Sequence, residues 1–263
     1  MGWWWSKSGS KSDSGQDDLS ALTSRYAGDD DKNYSIFSLR TFVESCAVTT
    51  VMLGSVYLYS RYLKRFPTAM DIPRRFIEFN RPIRGRIVYV GDGDNFRLFH
   101  TPGGMFAGWN WLRRVPYEQK SSKTQKLSSN TISVRLCGVD APEAGHFGNP
   151  AQEYSAEARQ WLTNYVVGRR ATIKVFSIDQ YHRAVAKATI WTWTGPKDVS
   201  AELLRAGFAI VYEGHLNTFF GSSRAAYETI EASARRRKVG MWESGKILET
   251  PGMYKHRIKT KSP

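Results

Sequence analysis

Cysteine is nearly absent from this chain. Its 263 residues include two, Cys46 and Cys137, far apart and in unlike surroundings. No C-x-x-C spacing exists, so neither a disulfide framework nor a structural zinc site is supported. Cys137 lies in a run that reads as a buried strand, where a thiol serves as a small core residue. Histidine is scarce too. The five histidines form no cluster, which argues against a histidine-metal centre. No internal repeat is apparent. The start lacks the basic end and apolar run of a secretory signal, and it is not an Arg-rich, acid-poor transit peptide. Apart from Trp3, Trp4 and Trp5 it lacks apolar periodicity, and residues 1–40 read as a disordered segment.

What the chain has in excess is positive charge. Its formal net charge is +14 and its sequence pI is about 9.8. Residues 1–40 carry five Lys/Arg against six Asp, and residues 41–60 a single Glu, which leaves residues 61–263 at +16. A body that basic finds its natural partner in a polyanion, either nucleic acid or anionic lipid.

One segment is nearly free of charge. From Ser45 to Ser60 there is none. Sixteen helical residues rise about 24 Å, against a hydrocarbon core of about 30 Å, and adding Thr41–Glu44 closes the gap. Residues 41–60 are therefore expected to form a single transmembrane helix. Glu44 stands four residues after Arg40, close enough to pair on one helix face. Tyr57, Tyr59 and Tyr62 suit the far interface, and Arg61, Lys64 and Arg65 end the span. The basic C-terminal flank favours leaving the following domain on the side of synthesis or in a matrix-like compartment.

Residues 61–82, with Pro67 and Pro73, read as a basic linker. A globular domain is expected over 83–244, and a basic tail over 245–263. Within the domain, RGRIVYVGDGDNFRLFH reads as strand, tight turn, strand, with Gly93 supplying a positive φ in the turn. The polar stretch from Thr101 to about Asn130 is an excursion between strands. TISVRLCGVDAPE is a strand ending at Asp140–Glu143. NPAQEYSAEARQWLTNYV is a helix with Tyr154, Ala158, Trp161, Leu162 and Tyr165 on one face. ATIKVFSIDQYHRAVAKATIWTWT is two strands joined around Asp179–Arg183. VSAELLRAGFAIV holds a short helix stopped by Gly207, and the last helix ends at Gly240. Strands interleaved with few helices predict an α+β fold with a small barrel.

Three clusters carry chemistry: Asp92-Gly93-Asp94, Arg135 through Asp140 to Glu143, and Asp179 through Tyr181 to Arg183. Phosphodiester hydrolysis needs an activated water and neutralisation of a highly charged transition state. Carboxylates such as Asp94 and Asp140 hold a hard cation. A carboxylate such as Glu143 takes the proton of water. Arginines such as Arg135 and Arg183 grip phosphate oxygens and stay charged throughout. Each cluster alone is weak, since D-G-D is a common solvated turn and a strand arginine is usually a surface residue.

In order and with these spacings they are specific. VGDGDNFRL, VRLCGVDAPE and DQYHRAVA, with VSAELLRAGFA and KVGMW, resemble the staphylococcal nuclease (thermonuclease) family over roughly 60% of the chain. With the preceding span, the sequence is similar to the fungal membrane-anchored members placed in mitochondria. The resemblance implies an OB-fold, a five-stranded β-barrel with three helices. It also implies one calcium ion and cleavage of DNA and RNA to products with 3′-phosphate ends, on flexible or single-stranded substrates. Asp94, Asp140 and the Ala141 carbonyl match the calcium ligands, Glu143 the general base, and Arg135 and Arg183 the phosphate-binding arginines. Asp92 matches a turn residue behind the ligands, and Tyr181 a tyrosine near the bound nucleotide. No specific protein partner is implied.

There are departures. Asn95 replaces a threonine, Gln180 a lysine, and His182 a glycine before Arg183, which is expected to shift that arginine's backbone. His182 itself reads as a solvated bystander, and Arg235–Lys238 as a solvated helix face adding nonspecific phosphate affinity. Trp191 and Trp193 are expected in the core, with a base-stacking platform as the alternative. Two other functional classes compete with the nuclease: a catalytically silent OB-fold nucleic-acid-binding or scaffold module on a membrane, and a lipid-binding role for the basic linker and tail.

Overall fold

The computed structural model describes residues 39–116, 127–145, 150–212, 223–243, 250, 252–254 and 257. The expectations for residues 1–38 and for most of the basic tail lie outside these. The chain divides into two compact units, residues 1–57 and 58–263.

The first unit holds nearly all of α1 (Leu39–Leu58), which one π-helical turn extends over Tyr59–Leu63. Leu39–Leu63 is long and apolar enough to cross a membrane, by length and composition. None of the residues of α1 is buried against protein. Several of its polar residues are satisfied locally. Arg40 donates to Glu44 at 3.0 Å, and the hydroxyls of Thr50 and Ser55 donate to the Cys46 and Val51 carbonyls at 2.8 and 2.7 Å. Back-bonding of this kind lets Ser and Thr sit in an apolar surrounding without an unmet donor.

The second unit is a closed barrel. Alternating apolar residues build β1 (Pro82–Asp92) and β2 (Asn95–His100), joined by the Asp92–Asn95 turn. Then come β3 (Ile132–Leu136), the short β4 (Val139–Asp140), β5 (Arg170–Ile178) and β6 (Ala184–Thr192). The sheet order is β3-β2-β1-β5-β6, and β3 also pairs with β6 in parallel, Val134 opposite Ala184. That seam closes five strands into the expected OB barrel. β7 (Gly195–Asp198) extends β6 outward, and β8 (Ile210–Val211) pairs with β4. Ile87, Val90, Phe96, Leu98, Ile132, Val134, Ile173, Val175 and Ala186 fill the interior. A bulge at Val88 turns that side chain outward, to a second core with Phe99, Trp109 and Leu127. The 101–130 excursion thus begins and ends on the outer face of the β1–β2 hairpin.

Three helices follow as expected. α3 (Ser155–Val166) buries Ser155, Ala158, Leu162 and Val166. Trp161 and Tyr165 stack at 4.7 Å, half-buried at its edge. α4 (Val199–Arg205) is capped by Asp198, which accepts from the Ser200 N–H at 3.0 Å. It stops at Gly207, whose φ is 73°. α5 (Arg224–Arg237) starts at Ser223 and ends at Lys238, two residues before the expected Gly240. Lys238 takes the left-handed conformation there, φ 53°.

Two expectations are overturned. The stretch between span and barrel contributes Phe66, Ala69 and Ile72 to the main core, together with the short helix α2 (Arg74–Glu78). Trp191 and Trp193 are not core: they are 72% and 99% exposed, Trp191 at the end of β6 where it meets only the edge strand β7, and Trp193 in the turn between the two strands.

Candidate active site

The site forms where three chain segments meet at one end of the barrel. The Asp92–Asn95 turn carries Asp94. Gly93 is required there by crowding. It is not among the positive-φ residues, contrary to expectation. A Cβ on it would stand 2.7 Å from the Ala141 Cβ and 3.2 Å from the Ala158 Cβ. The bare backbone lets the turn lie against the Asp140–Ala141 segment. The Leu136 N–H donates to the Asp94 carbonyl at 2.9 Å, which ties the turn to the end of β3.

Arg135 and the two aspartates come together. The Arg135 Nε lies 3.3 Å from an Asp94 carboxylate oxygen, and its Nη2 lies 3.0 Å from one of Asp140. Asp94 is 7% exposed and Asp140 4%. Burial alone would lower the Arg135 guanidinium's affinity for its proton. Asp94 and Asp140, then Tyr212 and Glu143, outweigh burial and raise it above its ordinary value. Two buried carboxylates bridged by one guanidinium leave local negative charge in an otherwise basic body. Oxygen donors of that kind suit a hard cation. Among the described residues no group of three His, Cys, Asp or Glu is placed to hold a metal alone. A cation at Asp94 and Asp140 would therefore draw its remaining ligands from backbone, such as Ala141, from water and from substrate.

Glu143 follows three residues after Asp140. Its N–H donates to the Gln152 side-chain oxygen at 3.1 Å, while the Gln152 N–H donates to the Glu143 carbonyl at 3.0 Å. This reciprocal clamp fixes the backbone that carries the carboxylate.

Arg183 stands just before β6, whose Val185 is the register partner of Arg135 across the seam. Strand alternation places both arginines on the outer face. Asp179 organises the loop between β5 and β6. It accepts the N–H groups of Tyr181 and Arg183 at 2.9 and 2.8 Å and the Arg183 Nε at 2.7 Å. Burial would raise the Asp179 carboxyl, but those bonds and the guanidinium hold it below its ordinary value. Tyr181 is exposed, with the Arg183 guanidinium 5.2 Å from its ring centre. His182 has φ 57°, a left-handed conformation that a glycine adopts freely.

Gln152, Tyr212 and the organising role of Asp179 escape the sequence reading. Tyr212 lies 5.8 Å from the Arg135 guanidinium, measured to the ring centre, and follows directly on β8. Asp179 had a local signal, an acid four residues before an arginine in a turn. The other two had none. Trp191 lies eight residues past Arg183 along β6, roughly 26 Å at 3.3 Å per residue, too far to stack a base at this site.

The family described as "Staphylococcal nuclease homologue" matches residues 133–244. The curated "Probable endonuclease LCL3" of Candida albicans (strain WO-1) is 49% identical over 224 residues, 85% of this chain and 93% of that one. The chain belongs to the staphylococcal nuclease family. Proteins of the same name from Clavispora lusitaniae and Debaryomyces hansenii are each 45% identical, covering 88% and 85% of this chain and 97% and 93% of theirs. The match to the family begins at Ser133, so the turn bearing Asp94 lies before it, and its place in the site rests on the contacts with Arg135.

Proposed function

We propose that this chain is a membrane-anchored, calcium-dependent endonuclease that hydrolyses phosphodiester bonds in DNA and RNA. The observation that carries the reading is the convergence of Asp94, Asp140 and Arg135 within hydrogen-bonding reach, with Glu143 three residues on and Arg183 just before the adjoining strand.

Each residue has a part. Asp94, Asp140 and the Ala141 carbonyl hold the cation, which when bound supplies Lewis-acid neutralisation of phosphate charge. The Glu143 carboxylate, its backbone fixed by Gln152, accepts the proton of the attacking water. Arg135 spends Nε and Nη2 on the aspartates and keeps its other N–H groups for a phosphate oxygen. Arg183, oriented by Asp179, takes another oxygen as charge builds in the transition state. Tyr181 stands exposed beside Arg183, where it lines the path of the nucleotide. The span over Leu39–Leu63 anchors the enzyme. Mitochondria as the compartment rests on the resemblance of its motifs and span to the fungal membrane-anchored members of the family.

The test is cleavage of single-stranded DNA by the full chain, with calcium and with chelator, beside Glu143→Gln. Cleavage that needs calcium and falls at least ~100-fold in the variant is expected, with oligonucleotide binding retained. Equal cleavage by the variant would refute the role of Glu143. A folded protein that binds but never cuts would make the chain a silent binding module.

A further inference from the structure

The stretch from Gly103 to Leu112 is both built and apolar. Trp109 is buried, its indole N–H donating to the Pro102 carbonyl at 2.9 Å and its ring edge-on to Phe99 at 5.6 Å. The Trp111 indole N–H donates to the Met105 carbonyl at 2.9 Å, so the ring's polar atom is satisfied within the loop. Outward stand Met105, Phe106, Trp111 and Leu112, each more than half exposed and Phe106 fully so. Arg113 and Arg114 follow, also exposed. Clusters of large apolar side chains on a protein surface mark a site of interaction.

What lies beside the loop indicates the occupant. Leu63 is the last residue of the apolar helix, and it belongs to the same unit as the loop. A Cβ on Gly103 would stand 2.6 Å from the Leu63 Cδ2. Two residues beyond Leu63 the chain is fastened to the barrel. Arg65 lies 3.9 Å from the centre of the Phe99 ring and donates to the Asn130 carbonyl. The Phe66 N–H donates to the His100 Nδ1 at 2.9 Å, and its ring is buried. No slack separates the end of the helix from the loop.

We propose that Met105, Phe106, Trp111 and Leu112 insert into the bilayer interface beside the exit of the span. Arg113 and Arg114, with Arg61 and Lys64 of the span's end, meet anionic headgroups. This rests on reading Leu39–Leu63 as a membrane span. Aromatic side chains settle at headgroup level and basic ones just outside it, which is the order the loop presents. The barrel is thereby held to the membrane at two points rather than swinging on one.

The full chain, with Cys46→Ser, is reconstituted in vesicles of phosphatidylcholine with a minority of phosphatidylglycerol. A fluorophore is attached through Phe106→Cys or, separately, through Met52→Cys within the helix; Cys137 stays buried. Brominated lipid should quench both labels, and aqueous iodide should reach neither. Phe106 is fully exposed, so the change does not threaten the fold. Quenching at position 52 with an iodide-accessible, unquenched label at 106 would overturn the loop contact and leave the span standing. No quenching at position 52 would overturn both.

Discussion

His182 takes φ 57° in the loop that aims Arg183. A left-handed non-glycine residue costs roughly 1–2 kcal/mol. Part of that returns, because a glycine would leave the unfolded chain freer. His182→Gly should therefore stabilise the protein, by up to about 1 kcal/mol in urea denaturation, and leave cleavage nearly unchanged. A loss of stability would show that the imidazole holds the loop. His100 makes a pH prediction. Burial first, and the Arg65 guanidinium second, lower its pKa from 6.5 to about 4. The folded state keeps it neutral, so its contribution is full above the unfolded pKa of about 6.5 and drains away as pH falls toward 4. At most about 3 kcal/mol is at stake. Denaturation followed across that window should flatten in His100→Gln. At this scale the sequence told residue types better than reasons. Gly93 was recognisable as a necessary glycine, yet crowding by Ala141 requires it rather than a positive φ. Alternation showed that Trp191 shares a face with its neighbours two apart, but periodicity does not say which face is wet.

Among the elements, the helix stop at Gly207 was legible because the demand for a left-handed residue is local. Its second duty was not. A Cβ there would stand 2.1 Å from the Val239 carbonyl oxygen, where α5 leads into the Gly240–Trp242 turn. Gly207→Ala should cost at least ~2 kcal/mol, from backbone strain and overpacking together. A smaller loss in calorimetry would mean the two segments part easily. The residues between span and barrel were misread for a plain reason. Phe66, Ala69 and Ile72 stand three apart, but Pro67 and Pro73 break up any helix that spacing would signal, and only their distant partners make them core. Removing residues up to 80 should destabilise the barrel by about 1.5–3 kcal/mol for each of Phe66 and Ile72, whereas a start before Lys64 should not. The motif residues stood out in the sequence for the opposite reason: the chemistry proposed for them needs particular side chains at particular spacings.

Over the whole molecule, a site of local negative charge sits in a chain with a net charge of +14. In the proposed reading the basic body gathers nucleic acid and the buried carboxylates take a cation. Calcium at about 100 times its dissociation constant should raise stability by about 2.7 kcal/mol. The rise should vanish in Asp140→Ala, and its persistence there would place the ion elsewhere. The parallel seam has a consequence in time. Arg135 and Arg183 are neighbours only because Val134–Leu136 dock on Ala184–Ala186, fifty residues later in the chain. Pairings of that separation form late in folding. A growing chain exposes Asp94, Arg135 and Asp140 long before β6 exists, and until the seam closes Arg183 lacks the place beside Arg135 that the proposed mechanism gives it. The topology is an interlock: the enzyme stays unarmed while it is being made.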